Sequence, residues 1–61
     1  MTADEYKAAR EQLGLSNYAL APKLGINLRT AQRYEQGERH IPENIARLLQ
    51  MYVKHGIPKG W

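Results

Sequence analysis

Two arginines and two glutamines fall close together in the run GINLRTAQRYEQGE, from Gly25 to Glu38: Arg29, Gln32, Arg33 and Gln36. A guanidinium offers a rigid fork of N–H donors, and a side-chain amide offers donors beside an acceptor. Such a set can reach O6 and N7 of guanine or N6 and N7 of adenine, and it can also grip an acidic protein surface. If the run is helical, Leu28, Arg29, Gln32, Arg33 and Gln36 share one face while Ile26, Ala31 and Tyr34 share the opposite one. The apolar face would be buried and the donor face exposed, with too few acids to repel phosphates. On a lone surface helix that face would be ordinary solvated surface. Its use depends on the element that carries it and on the neighbours of that element.

Other chemistry is scarce. The chain has no cysteine, hence no disulfides and no thiolate ligands. His40 and His55 are metal ligands in principle, but no third ligand stands at a useful spacing, so neither metal nor cofactor is expected. Neither histidine has an evident catalytic partner. A chain of 61 residues leaves no room for a deep enzyme cleft, because a domain this small buries only roughly 60% of the surface its unfolded form exposes. The chain is therefore expected not to be an enzyme. Nine Lys and Arg against six Asp and Glu give a formal net charge of +3, which permits a polyanionic partner without requiring one. The opening MTADEYKAAR lacks the basic start and apolar run of a signal peptide, and no apolar stretch approaches the roughly 20 residues that span a bilayer. A soluble, cytoplasmic protein with no membrane partner is expected.

The elements that must position the donor face follow from caps and periodicity. Thr2, with Glu5 three residues later, forms a capping box that starts helix 1 at about Thr2. Tyr6, Ala9 and Leu13 recur on one face of it, and Gly14 stops it. Ser16 caps helix 2, with Leu15 before it and Leu20 after it as a hydrophobic staple, and that helix runs to about Leu24. Gly25 takes the tight turn, Asn27 caps helix 3 and Gly37 closes it. The stretch GERHIP after it has no periodicity. Pro42 suits the first position of helix 4, where Ile45, Leu48, Leu49, Tyr52 and Val53 make the strongest amphipathic pattern in the chain. Lys54 and His55 complement the negative helix end before Gly56, and Pro58 prevents continuation. The final KGW is too short for an element, although Trp61 is an odd residue to leave in water. A single domain over residues 1–61 is expected, with its central two-helix unit at about 16–37.

A helix, a three-residue turn with glycine and a second helix, packed against further helices, is the helix-turn-helix arrangement. From Arg10 to Gly37 the chain resembles the phage repressor and Cro family of DNA-binding domains (lambda-repressor-like, XRE type). LGLS leads into LAPKLG, and INLRTAQRYEQG stands where the family has its recognition helix. About half the chain is covered closely, and helix 4 more loosely. The resemblance implies an all-α, four-helix (or five-helix) domain that binds double-stranded DNA sequence-specifically, as a small transcriptional regulator of bacterial or phage kind. It implies that Leu28, Arg29 and Arg33 occupy base-reading positions with Gln32 beside them. Asn17 and Gln36 then lie where phosphates are held, and Arg39 and His40 lie in a loop where cations approach the DNA backbone. Arg10 and Glu35 occupy positions that hold an ion pair in several family members, while Thr30 serves the first turn of helix 3.

Two features depart from the family. Pro22 falls inside helix 2, where a proline costs about 3 kcal/mol, so helix 2 is expected either to kink around Ala21 or to start later than Ser16 indicates. Helix 4 reads as one long helix where many members have two, so the usual dimer contact does not carry over. One recognition helix reads too few base pairs to find a site alone, and a weak homodimer assembled on DNA is expected. Met51, Tyr52, Ile57 and Trp61 are the apolar residues assigned to that contact. The alternative is a protein-interaction module, an antitoxin-like subunit or a polymerase-binding adaptor, using the same basic face.

Overall fold

The computed structural model describes residues 1–58, in which four helices follow one another: α1 (Ala3–Leu13), α2 (Asn17–Leu24), α3 (Leu28–Gln36) and α4 (Glu43–His55). No strand occurs among the described residues, so the architecture is all-α, with four helices rather than five. Trp61, assigned above to a two-fold contact, lies outside the described residues.

Side chains close the first turn of three helices. Thr2 Oγ1 accepts from the Glu5 N–H at 3.1 Å while the Glu5 carboxylate accepts from the Thr2 N–H at 2.7 Å, completing the capping box. The Thr2 backbone N–H, and then the Thr2 side chain, hold the Glu5 carboxyl below its usual pKa. Ser16 Oγ accepts from the Ala19 N–H at 3.2 Å, and Asn27 Oδ1 accepts from the Thr30 N–H at 2.8 Å. Pro42 stands one position earlier than expected: with φ −62° and ψ 153° it is the cap residue, extended rather than helical, and Glu43 is the first helical residue. That order places the Glu43 carboxylate in the first turn, at the positive end of the helix dipole.

The junctions between the first three helices repeat one pattern. At Gly25 the chain turns with φ +73°, which L side chains rarely adopt. Its N–H donates to the Pro22 carbonyl at 3.2 Å, and the Ile26 N–H donates to the Ala21 carbonyl at 3.0 Å. Gly14 and Leu15 make the corresponding pair of bonds to Glu11 and Arg10, so both helices end in the Schellman arrangement. The residue after each glycine also stands just before the next cap. Leu15 precedes Ser16 and pairs in position with the buried Leu20, and Ile26 precedes Asn27 and pairs with the buried Ala31. These are hydrophobic staples.

Every helix contributes to one apolar cluster. Tyr6 comes from α1, Leu20, Ala21 and Leu24 from α2, Ala31 and Tyr34 from α3, and Ile45, Ala46, Leu49 and Tyr52 from α4. The Tyr6 and Tyr34 rings meet edge to face, 6.0 Å between centroids at 70°, an arrangement favoured by the ring quadrupole. Ile41 is buried as well, although GERHIP carries no period. It precedes the Pro42 cap while the buried Ala46 sits on the first turn of α4, again the two positions of a staple.

Two further expectations are corrected. Tyr52 is only 3% exposed, and its hydroxyl donates to the Lys23 carbonyl at 2.6 Å; burial pushes its phenol pKa up. It belongs to the core and is not available to a second copy. Ile57 is half-buried against the same cluster, which leaves Met51, 58% exposed, as the member of that set with a free apolar side chain among the described residues. Helix α2 does not start late: Ser16 caps it and the helix runs on through Pro22. Proline has no N–H for the carbonyl of Tyr18, four residues earlier. Tyr18 is 77% exposed and Pro22 is exposed as well, so the break in the helical ladder falls on the solvent side of α2.

Candidate nucleic-acid interface

The α3 face carrying the donors is turned away from the core. Ala31 and Tyr34 are buried, Thr30 is half-buried, and Arg29, Gln32 and Gln36 are exposed. Leu28, at 37% exposed, sits at the edge of the same face and Arg33 is half-buried beside it. Asn27 fixes the start of the helix through Thr30. Among the described residues the two ion pairs join Arg10 to Glu35 and Arg47 to Glu43, so the guanidinium groups of Arg29, Arg33 and Arg39 have no carboxylate partner. Arg39 and His40 are exposed in the loop that follows α3, and that loop is anchored by the buried Ile41.

Glu35 is the one carboxylate of α3, and it is withdrawn from the donor face. Arg10 Nε donates to Glu35 Oε1 at 2.6 Å, with the two side chains 17% and 24% exposed. Arg10 Nη1 also donates to the Leu15 carbonyl at 2.9 Å, in the junction between α1 and α2. Asn17 Nδ2 donates to the same Glu35 oxygen at 3.3 Å, and the Tyr6 hydroxyl donates to Asn17 Oδ1 at 2.9 Å. One continuous polar bridge therefore links α1, the start of α2 and the end of α3. Burial pushes the Tyr6 phenol up to about 12, the nearby Glu35 carboxylate adds to that shift, and Arg10 opposes it.

Asn17, which the resemblance put at a phosphate, thus spends its amide oxygen and one amide hydrogen inside the domain. The second Nδ2 hydrogen enters no bond among the described residues, and Asn17 is half-buried. The sequence pattern took Tyr6 for an apolar core residue and missed its part in this bridge. The available sign was chemical: a tyrosine at a core position must still find a partner for its hydroxyl. Among the described residues no three His, Asp or Glu side chains gather as a metal site, and no helix is long and apolar enough to cross a membrane.

Residues 7–51, which reach from the first turns of α1 through most of α4, match the family model described as Helix-turn-helix. The chain belongs to the helix-turn-helix family. The unit is made by α2, the three-residue junction and α3, with α1 and α4 as its support. This helix-turn-helix chain is 42% identical over 50 residues to a protein of Pyrobaculum aerophilum whose name proposes it as an HTH-type transcriptional regulatory protein. The match takes in 80% of this chain but 20% of that relative, so the helix-turn-helix chain spans about a fifth of the length of the protein it matches. No solved structure matches it.

Proposed function

We propose that this helix-turn-helix chain binds double-stranded DNA sequence-specifically, with α3 in the major groove, and acts in transcriptional regulation. The observation that carries this is the exposed α3 face: two unpaired arginines and two glutamines on the second helix of the motif, with its one carboxylate, Glu35, turned to Arg10. Arg29 and Arg33 have the fork that fits guanine O6 and N7, Gln32 has the amide that fits adenine, and Leu28 supplies apolar contact at the groove edge. Asn17, Gln36, Arg39 and His40 take the phosphates, contacts that orient the domain without carrying sequence information. Two copies bind together, and a symmetric pair places its recognition helices about 34 to 36 Å apart, so the preferred site is a near-palindrome with half-sites about 10 base pairs apart.

Selection from random duplexes, followed by titration of the chosen site, tests this directly. Arg29→Ala and Arg33→Ala are each expected to weaken binding to that site by roughly 1–3 kcal/mol and to relax discrimination at one base pair. Selection that enriches no sequence, or two variants with wild-type affinity and preference, would rule out α3 as the reading element.

A further inference from the structure

The bond between Tyr6 and Asn17 has a geometry that reaches beyond packing. A side-chain amide has one acceptor oxygen and two donor hydrogens. Here the oxygen takes the Tyr6 hydroxyl at 2.9 Å and one hydrogen goes to Glu35 Oε1 at 3.3 Å. A carboxylate only accepts, so Glu35 must face the nitrogen and the amide cannot turn over without setting oxygen against oxygen. Tyr6 is itself closely held: it is fully buried, its ring lies edge-on to Tyr34, and among the described residues no other polar atom shares its hydroxyl. Both ends of the Asn17 amide are therefore fixed by buried or half-buried groups on two other helices, and one Nδ2 hydrogen is left over.

We propose that Tyr6 is a positioning residue for the DNA backbone: its hydroxyl holds the Asn17 amide so that the remaining Nδ2 hydrogen is directed at a phosphate. The inference rests on the DNA-binding function proposed above and assigns to a core residue of α1 a part in it. Tyr6 does not touch DNA. It acts through Asn17, and a preset donor loses less freedom on binding than one that must first be ordered. Because the contact is to phosphate, its contribution is the same for every sequence.

Affinities of wild type, Tyr6→Phe, Asn17→Ala and the double variant, for the selected duplex and an unrelated one, decide the matter. Asn17→Ala is expected to weaken both duplexes by the same factor while leaving the log-log salt dependence unchanged, because an uncharged amide on a phosphate releases no counterion. Tyr6→Phe is expected to weaken both by about 2- to 10-fold, the range of a single hydrogen bond. The double variant is expected to bind like Asn17→Ala alone, because the hydroxyl has no other route to the DNA. A purely structural hydroxyl would give losses that add in the double variant, and that result overturns the proposal, as does Tyr6→Phe binding with wild-type affinity. A wild-type protein with no salt-dependent DNA binding overturns the underlying function instead. If Tyr6→Phe fails to fold, the side-chain amide resonances of Asn17 in the wild type supply the readout. One Nδ2 proton is expected to shift on saturation with DNA, and a pair that DNA leaves unmoved rejects the assignment.

Discussion

The side chains that carry the proposed function differ in how firmly the fold holds them. Arg39 is exposed in a loop, whereas Arg10 is largely enclosed and makes two bonds. Arg39→Ala is therefore expected to weaken binding to all duplexes alike and to lower the salt slope by about 0.9, with stability within about 0.5 kcal/mol of wild type. A sequence-dependent loss would move Arg39 into the base-reading set. Arg10 and Glu35 are expected to be coupled instead, because removing either strands the other in a half-buried site. A double-mutant cycle with alanine, read by urea unfolding, is expected to give an interaction of at least about 0.5 kcal/mol, and additive losses would show that the 2.6 Å contact is energetically silent. At this scale the sequence carried much of the pattern. The alternation within INLRTAQRYEQG separates buried Ala31 and Tyr34 from the exposed donors, because helical period is a local property. The role of Tyr6 was hidden, since its partner is 11 residues away on another helix and no local period links them.

Among the elements, α2 is the one whose sequence conflicts with its structure. Pro22 occupies an interior helical position and leaves the Tyr18 carbonyl without a helical donor. An interior proline costs about 3 kcal/mol, and its restriction of the unfolded chain returns about 0.4–1 kcal/mol. Pro22→Ala is accordingly expected to stabilise the domain by about 2 kcal/mol, read as a rise in thermal midpoint, while an unchanged or lowered midpoint would mean that the ring itself makes a contact worth that much. The helix starts and stops were legible because Thr2, Ser16, Asn27, Gly14, Gly25 and Gly37 act on their own neighbours within a few residues. Ile41 was not legible from period, because a residue that enters the core from a loop has no repeating partner. Its place before Pro42, five residues from Ala46, was the sign that a staple could be built there.

For the molecule as a whole, two of the four core-bearing helices bury a tyrosine hydroxyl whose neutral form is favoured, Tyr6 on α1 and Tyr52 on α4. A phenol whose pKa is raised on folding contributes stability below its unfolded value and loses it as pH climbs to its folded value. For Tyr6 that window runs from 10.0 to about 12. The unfolding free energy from urea titrations is expected to fall across it, by on the order of 2–3 kcal/mol in total from Tyr6. In Tyr6→Phe the fall is expected to be smaller; an equal fall would assign the alkaline loss to Tyr52. Assembly is the other property at this scale. With Tyr52 in the core and Ile57 half-buried, the described part of α4 offers a second copy little beyond Met51, far below the extent of a stable interface. Sedimentation is expected to give a monomer for the free protein and two copies on the selected duplex. A single copy on its best site, with no symmetry in that site, would remove the pair and leave the helix-turn-helix family assignment untouched.

The two junctions, Gly14-Leu15-Ser16 and Gly25-Ile26-Asn27, have a further consequence. In each, every residue is already committed: the first closes one helix, the last opens the next, and the middle one serves both. The Gly25-Ile26-Asn27 junction holds α3 close against α2, and the bridge from Arg10 through Glu35 to Asn17 braces the same angle. In the proposed complex such a unit would meet the duplex as a gauge meets a workpiece. If a duplex departs from the fit, the duplex must bend, twist or narrow its groove to comply, and the ease of doing so depends on base steps that no side chain touches. Part of the sequence preference of this small domain would then be written in the stiffness of the DNA between its half-sites.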